Sequence, residues 1–403
     1  MRVAIIGQGY VGLTISVGAL SAGHEVIGVD LSQEVVVGLK SGRSHIEGIS
    51  DKLIYSGISS GKYLPINSYE LVDGSEVVVI AVPTPLNVRG APDLSMLVSA
   101  AKSLGSVLTR STIVINESTS HPGTLRELIK PLVDGGKALG HKYAISPERV
   151  DPGNATFGTR NTPRVVGGLS DEARDAAVAF YRTFCDEVIP VSSAEVAEAA
   201  KLFENTFRFI NIGLVNEFSQ IMGAMEIPVD EVLKAAGTKP YGFMPFHPNV
   251  GIGGHCIPVD PVYLSKWADK SGTPTESINF AIKFNENMGE LIISRIEKLE
   301  KKIDTNSKIL LLGVSYKPGI SDYRESPAEL IRASIKKRGG TVEWFDPMVK
   351  IWNGEKPSNL KSNFDFAIIV TNQLGLPIHE ILKKKIAIYD ATLSVDIAGV
   401  LPI

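Results

Sequence analysis

A β-branched run at residues 2–6 ends in Gly7-Gln8-Gly9-Tyr10-Val11-Gly12, and a helical pattern through Leu20 then leads to a second apolar run at 25–29. Strand, glycine turn, helix, strand commits the start of the chain to a βαβ unit and a parallel sheet. Gly7 permits the tight turn, Gly9 lets backbone approach a pyrophosphate, and Gly12 allows the helix to pack closely on the strand. The helix N-terminus adds free N–H groups and partial positive charge. Asp30 closes the second run about 20 residues on, where a carboxylate takes both ribose hydroxyls and repels a 2′-phosphate. The turn therefore reads as a dinucleotide site that favours NAD over NADP.

The remaining length demands more than one such unit. At 403 residues the chain exceeds one ordinary core, and two or three domains are expected. A net charge of -3 creates no general field for nucleic acid or anionic lipid. No apolar run approaches the ~20 residues of a membrane span, and residues 3–6 are too short for a secretory signal core, so a soluble, cytoplasmic protein is expected. Two cysteines, Cys185 and Cys256, make neither a disulfide framework nor a zinc site, and no metal is expected.

Further strands are expected at 76–82, 112–116 and 143–145. They end in Pro83-Thr84-Pro85, Glu117-Ser118-Thr119 and Ser146-Pro147-Glu148-Arg149 respectively. Ligands collect outside the carboxyl ends of strands in open α/β sheets, so Thr84, Thr119 and Glu148 are candidates for one cleft. For Thr84 and Ser118 a helix-capping role explains the residue equally well. Glu148 has no capping pattern, and either pairs with Arg149 or does acid/base work.

Residues 194–225 contain no proline and repeat apolar residues at helical spacing, including Val196, Phe203, Phe207, Leu214 and Ile221. A helix of about 30 residues runs ~45 Å and is expected to link two domains. Lys201 and Asn205 lie four apart on one face, with Arg208 nearby. A solvated lysine is the usual alternative for Lys201. Beyond the helix, residues 238–248 form a proline-stiffened aromatic loop with Tyr241, Phe243 and Phe246, whose rings could stack on a base or sugar. It leads to Gly251-Ile252-Gly253-Gly254-His255-Cys256-Ile257-Pro258-Val259-Asp260-Pro261. Cys256 reads as a covalent nucleophile with Asp260 as its acid/base neighbour; the competing reading is a buried thiol acting as a small hydrophobe. His247 and His255 are expected as contacts, not bases. A second long helical pattern spans 277–301.

The last quarter repeats the α/β order, with strands expected at 308–314, 342–345, 364–370 and 385–389. It lacks the glycine fingerprint. Ser315-Tyr316-Lys317-Pro318 follows its first strand, so a lysine replaces the glycine nest. Arg324, beside Asp322, Glu325 and Ser326, either bonds a phosphate or forms an ordinary salt-bridged helix start.

These motifs together resemble the nucleotide-sugar (UDP-glucose/GDP-mannose) 6-dehydrogenase family over essentially the whole chain. They are Gly7-x-Gly9-Tyr10-Val11-Gly12-Leu13, Val82-Pro83-Thr84-Pro85, Glu117-Ser118-Thr119, the segment from Ser146 through Asp151-Pro152-Gly153, Lys201-x-x-x-Asn205, Gly253 through Pro261, Tyr316-Lys317 and Arg324-Glu325-Ser326. The resemblance implies an α/β fold of two Rossmann-like, doubly wound parallel-sheet domains joined by a long central helix. It divides the chain into an NAD-binding domain (1–193), a central helical and dimerisation domain carrying the cysteine loop (194–302), and a UDP-binding domain (303–403). A UDP-sugar substrate and a homodimer or higher homo-oligomer through the helix follow, with polysaccharide biosynthesis as the setting.

The resemblance also assigns roles. Cys256 is implied as the thiolate, Lys201 as the cation holding the oxyanion, and Asn205 and Asp260 as the groups that position or deprotonate water. Glu148 is implied to assist thioester hydrolysis, with Thr119 lining the water site. Gly7, Gly9, Tyr10, Val11, Gly12, Asp30, Pro83, Thr84, Thr119 and Arg324 would contact NAD. The sugar nucleotide would meet Glu148, Arg149, Val150, Lys201, Asn205, Arg208, Tyr241, Phe246, Gly253 and Lys317. The cysteine loop and Lys239-Pro240-Tyr241-Gly242-Phe243 look like the branch acting on UDP-N-acetylhexosamines, UDP-N-acetylglucosamine above all. UDP-glucose and UDP-N-acetylmannosamine dehydrogenases are the near alternatives. Asn249 departs from that branch, which often has glycine there, and leaves the loop's fine conformation open. A single-oxidation hydroxyacid dehydrogenase would have no use for Cys256 or the second nucleotide fold, and a non-catalytic sensor no use for Cys256, Lys201 and Asp260.

Overall fold

The computed structural model describes residues 1–151, 154, 156–300 and 302–403. Pro152 and Gly153 of the strand-end motif, and the expected helix end at 301, lie outside them. The chain divides into two compact units, Met1–Glu204 and Asn205–Ile403.

The first unit is built on an eight-stranded sheet of β1 (Arg2–Ile6), β2 (Glu25–Val29), β3 (Tyr63–Ile66), β4 (Val77–Ile80), β5 (Ile113–Asn116), β6 (Lys142–Ile145), β7 (Arg164–Gly168) and β8 (Val188–Pro190). The strand order is β3-β2-β1-β4-β5-β6-β7-β8, whose first six strands follow the dinucleotide-binding order. Every pair is parallel except β6 with β7. Both faces are covered, which is why the strands read as unbroken apolar runs. Val77 and Val79 enter one apolar layer, and Val78 and Ile80 the other.

The second unit carries a five-stranded parallel sheet of β9 (Lys308–Leu312), β10 (Thr341–Phe345), β11 (Phe366–Ile369), β12 (Ala387–Asp390) and β13 (Val400–Pro402). Its order is β10-β9-β11-β12-β13, the other common doubly wound arrangement. Ile309 and Leu311 face one layer, and Leu310 and Leu312 the other. Two doubly wound α/β units are thus present, as the sequence leads one to expect. The helix Ala194–Ala224 is 31 residues long and crosses the boundary between the units. Among the described residues no helix is long and apolar enough to cross a membrane.

The expected single helix over 277–301 is corrected. Two helices, Glu276–Glu286 and Met288–Leu299, meet at Asn287, which caps the first and precedes the second. The break lets Met288, Ile292, Ile293 and Ile296 turn into the layer beneath β9. Gly289 then lies against the helix Pro327–Lys337. A Cβ on Gly289 would sit 2.3 Å from Leu330 O and 2.4 Å from its carbonyl carbon, so backbone would have to move. Gly289→Ala is expected to destabilise the second unit by about 1–3 kcal/mol through overpacking. An unchanged thermal unfolding midpoint would contradict this packing.

Candidate active site

In the first unit the turn after β1 is shaped by contact between backbones. Gly7 has φ +91°, and a Cβ on it would lie 2.4 Å from Ala81 O. A Cβ on Gly12 would overlap Gly7 O at 1.8 Å, whereas one on Gly9 would point into open space with nothing beyond its chain neighbours within 4 Å. The helix Tyr10–Ser21 starts with neither a side-chain cap nor an acid in its first turn, leaving its N–H groups for an anion. Asp30 holds the turn: its Oδ2 accepts the Gln8 N–H at 2.9 Å and its Oδ1 the Ser32 N–H at 2.8 Å. Gln8, which the sequence reading passed over, is buried and accepts bonds from Tyr63 OH (2.7 Å) and Ser16 Oγ (3.0 Å). Open space at Gly9, an uncapped helix start and a carboxylate at the end of β2 fit a dinucleotide. Val11 packs on the apolar layer. The Tyr10 phenol is pushed up to about 12, chiefly by burial and then by Glu148 and Asp151.

Beyond β4, Pro83 is exposed and Thr84 half-buried. Ser118 neither caps a helix nor opens to a cleft. Its hydroxyl donates to Val82 O at 2.8 Å and accepts the Val82 N–H at 3.0 Å, tying the ends of β4 and β5 together. Thr119, half-buried, follows it. Buried Glu198, on the long helix, then holds the next stretch by accepting the N–H groups of Gly123 (2.7 Å) and Leu125 (3.1 Å). Burial pushes its carboxyl up to about 7 despite those bonds.

Glu148 is the centre of a buried group. Its Oε1 accepts the backbone N–H of Arg149 and of Val150, both at 2.7 Å, and its Oε2 accepts Arg164 Nη2 at 3.0 Å. Burial alone would raise its carboxyl, but Arg164 and the two N–H groups override burial and hold it below the usual carboxylate range. The side chain of Arg149 goes elsewhere, pairing with Glu204 at 2.8 Å and donating to Pro163 O at 2.7 Å. Of the two alternatives for Glu148, the Arg149 ion pair is therefore ruled out. Its ion-pair partner is Arg164, a residue no local pattern singled out. Lys201 Nζ donates to the Glu148 backbone carbonyl at 2.5 Å.

In the second unit, Asn205 donates its side-chain N–H to Asp260 Oδ2 at 2.5 Å. Asp260 is buried and opens the helix Asp260–Asp269, with Pro261 behind it. The Cys256 carbonyl accepts the N–H of Asp260 (2.9 Å) and Val259 (3.1 Å), folding the half-buried cysteine back over the helix start. Asn249, the departure from the branch pattern, acts as an anchor. Its N–H goes to Asn216 Oδ1 at 2.8 Å, and its Oδ1 accepts the Gly251 N–H at 3.0 Å. Asn285 grips Ile252 from both sides, accepting its N–H at 2.7 Å and donating to its carbonyl at 3.2 Å.

The same loop lies on the segment after β9. A Cβ on Gly253 would meet Glu325 O at 2.6 Å and Pro327 Cδ at 2.8 Å. Arg324 makes a bidentate pair with Asp322 and reaches His255 Nδ1 at 3.3 Å, and the Asp322 carboxylate, with Tyr316 and Cys256 adding to it, holds its guanidinium charged against the opposing effect of burial. Buried Gln373 fixes the strand-end loop that carries Lys317. It donates to Ser315 Oγ (2.7 Å) and Ile320 O (2.9 Å) and accepts the Gly319 N–H (2.8 Å). Phe246 packs edge-on to Phe207 at 6.1 Å, while Arg208, Tyr241 and His247 are exposed.

Residues 1–185 match the NAD binding domain of the UDP-glucose/GDP-mannose dehydrogenase family, residues 195–287 its central domain, and residues 310–394 its UDP binding domain. The chain belongs to that family. It is an NAD-dependent nucleotide-sugar dehydrogenase with a UDP-sugar binding domain, as its motifs lead one to expect. This dehydrogenase is 36% identical over 364 residues to the UDP-N-acetyl-D-mannosamine dehydrogenase of Pyrococcus horikoshii, covering 87% of this chain and 84% of that protein. It is 34% identical over 362 residues to a UDP-N-acetyl-D-glucosamine 6-dehydrogenase of Pseudomonas aeruginosa, covering 87% and 83%. The solved UDP-D-ManNAc dehydrogenase of P. horikoshii matches it with a TM-score of 0.90 at 30% identity, over 100% of this chain and 99% of that one.

Proposed function

We propose that the protein oxidises the C6 hydroxyl of a UDP-N-acetylhexosamine, with UDP-N-acetylglucosamine preferred, to the uronic acid through a covalent bond to Cys256. The observation that carries this reading is the Asn205–Asp260 pair at 2.5 Å at the head of the helix whose approach is folded by the Cys256 carbonyl. A half-buried thiol one turn before a buried, amide-held carboxylate has the parts for capture of a carbonyl and attack by water. Bound NAD supplies hydride acceptance, once for alcohol to aldehyde and once for the second oxidation. The Cys256 sulfur adds to the aldehyde carbon, giving a thiohemiacetal that prevents escape of the half-oxidised sugar. Loss of the second hydride leaves a thioester. Water attacks it, the C–S bond breaks, and the uronate leaves as the thiol is regenerated.

In this reading Lys201 holds the oxyanion of each tetrahedral adduct, the kind of preorganised charge that lowers such barriers most. Asn205 orients Asp260 so that its carboxylate takes the proton of the attacking water, and Glu148, ionised, assists hydrolysis beside Thr119. The glycine turn with Tyr10, Val11, Asp30, Pro83 and Thr84 holds NAD, to which Arg324 adds a contact. Arg149, Val150, Arg208, Tyr241, Phe246, Gly253 and Lys317 contact the sugar nucleotide. The functional division is 1–193 for NAD, 194–302 for the cysteine loop and association, and 303–403 for UDP. Free thiols suit the reducing cytoplasm, and the product would serve polysaccharide assembly.

The long helix leaves an apolar row uncovered: Phe203 is 67% exposed, Phe207 40%, Leu214 62% and Ile221 50%. Their spacing of four and seven residues puts them on one side of the helix, and we assign that side to a homodimer interface. UDP-N-acetylmannosamine is the second reading, favoured by the P. horikoshii relative.

Cys256→Ala is expected to abolish acid formation, and undiminished acid from that variant would sink the covalent route. Across UDP-N-acetylglucosamine, UDP-N-acetylmannosamine and UDP-glucose, the highest kcat/KM is expected for the first. A maximum with UDP-glucose would reject the N-acetylhexosamine assignment. Leu214→Glu is expected to convert the dimer to monomer in sedimentation, and a particle of unchanged mass would reject the helix interface.

A further inference from the structure

The one antiparallel pair in the first sheet has a chemical consequence. Ala144 pairs with Gly168 and Ile145 with Gly167, and continuing that register sets Glu148 opposite Arg164, the first residue of β7. Arg164 is buried and holds two carboxylates: Nη2 goes to Glu148 Oε2 at 3.0 Å and Nη1 to Glu117 Oε1 at 2.6 Å, with Ser146 Oγ at 3.3 Å from Nη1. Tyr181 donates its hydroxyl to the same Glu117 oxygen, and its ring lies 4.7 Å beneath the guanidinium. The ends of β5 and β6, the start of β7 and the helix Asp171–Tyr181 thus deliver a chain running Tyr181–Glu117–Arg164–Glu148.

One guanidinium between two buried carboxylates leaves an excess negative charge, which is costly away from water unless one carboxyl is protonated. The hydrogen bonds show which one. Glu148 has donors on both oxygens, three in all, and is complete as an anion. Glu117 Oε2 is buried with no partner among the described residues, so it is the oxygen on which a proton would sit. We propose that Glu117 is a positioning residue for Glu148: it binds the other arm of Arg164 and takes up and releases a proton, so its charge sets how firmly Arg164 holds Glu148. This deepens the reading of Glu148 in hydrolysis and rests on it for its catalytic meaning. With Glu117 neutral, the guanidinium's charge is left to Glu148. With Glu117 ionised, the two anions share it, and Glu148 binds protons more readily.

The surroundings agree. Burial pushes the Glu117 carboxyl up to about 7 against the pull of Arg164, with Glu148 raising it further and Tyr181 opposing. Glu148 is held low. Cys185 also faces the pair, its thiol pushed up by burial and drawn down by Arg164, and the Lys201 ammonium meets the Glu148 backbone carbonyl at 2.5 Å. The Tyr10 phenol also senses Glu148, which raises it together with Asp151.

The test is pH-difference infrared spectroscopy of the full chain, read at the carbonyl stretch of protonated carboxylic acids, together with kcat against pH. The wild type is expected to lose such a band on passing upward through neutrality. Glu198 titrates in the same range, so the difference between wild type and variant is what is read. Glu117→Gln is expected to remove one of the two contributions and to remove the neutral ionisation from the kcat profile while KM for the sugar nucleotide stays put. Tyr181→Phe withdraws a donor from the ionised form and is expected to move the Glu117 titration to higher pH. Glu148→Gln withdraws a like charge and is expected to move it to lower pH. A band unchanged in Glu117→Gln, or one that stays in place in both Tyr181→Phe and Glu148→Gln, would overturn the proposal. Wild-type kcat in Glu148→Gln would instead remove the hydrolytic role of Glu148, and the infrared shifts would still report the coupling.

Discussion

Between Gly7 and Gly12 there is no room for a single carbon atom. That close approach of backbones fixes the turn after β1, leaves open space at Gly9 for a phosphate, and aims the uncapped helix start into it. The same device recurs in the second unit, where Gly253 lies against Glu325 and Pro327, and Gly289 against Leu330. In each case a loop or helix is located by steric exclusion. The energetic consequence is rigidity: a side chain at any of these points would force backbone apart, and a packed interior accommodates that poorly.

Polar groups then complete the loops that glycine permits. Asn249 and Asn285 tie down Gly251 and Ile252, and Asn205 ties down Asp260. In the first unit the corresponding work is done by charge, with Arg164 held between Glu117 and Glu148. Buried carboxylates are tolerated as anions when both oxygens have donors, and Glu148 meets that condition. Glu117 has a buried oxygen without a partner among the described residues, and a proton relieves it by removing the charge. The outcome is two neighbouring carboxyls whose environments push them apart in acidity, Glu117 up and Glu148 down.

Much of this was legible in the sequence because the relevant patterns are local. The glycine fingerprint with Asp30, the apolar strands and the proline-free run from 194 carry their structure within a few turns of chain, and the motif order announced the family. What escaped notice depends on distant partners. Arg164 stands 16 residues from Glu148 and 47 from Glu117, and only the antiparallel register of β7 brings them together. The Arg164-Val165-Val166-Gly167-Gly168 run, β-branched and ended by glycines, was the available hint of that strand. Gln8 and Gln373 carry no pattern at all, since each bonds backbone or hydroxyls brought near by the fold. The helix break at Asn287 escaped because apolar spacing continues through it. Asn249, which the branch pattern left open, needed Asn216 to explain it.

In the proposed reaction Cys256 carries a sugar alcohol through two oxidations without releasing the aldehyde. The most direct measurement is the NADH formed per UDP-N-acetylhexosamine consumed, with NAD in excess and the sugar nucleotide limiting. Two NADH and one uronate are expected for each sugar. A ratio of one, with aldehyde accumulating, would contradict it.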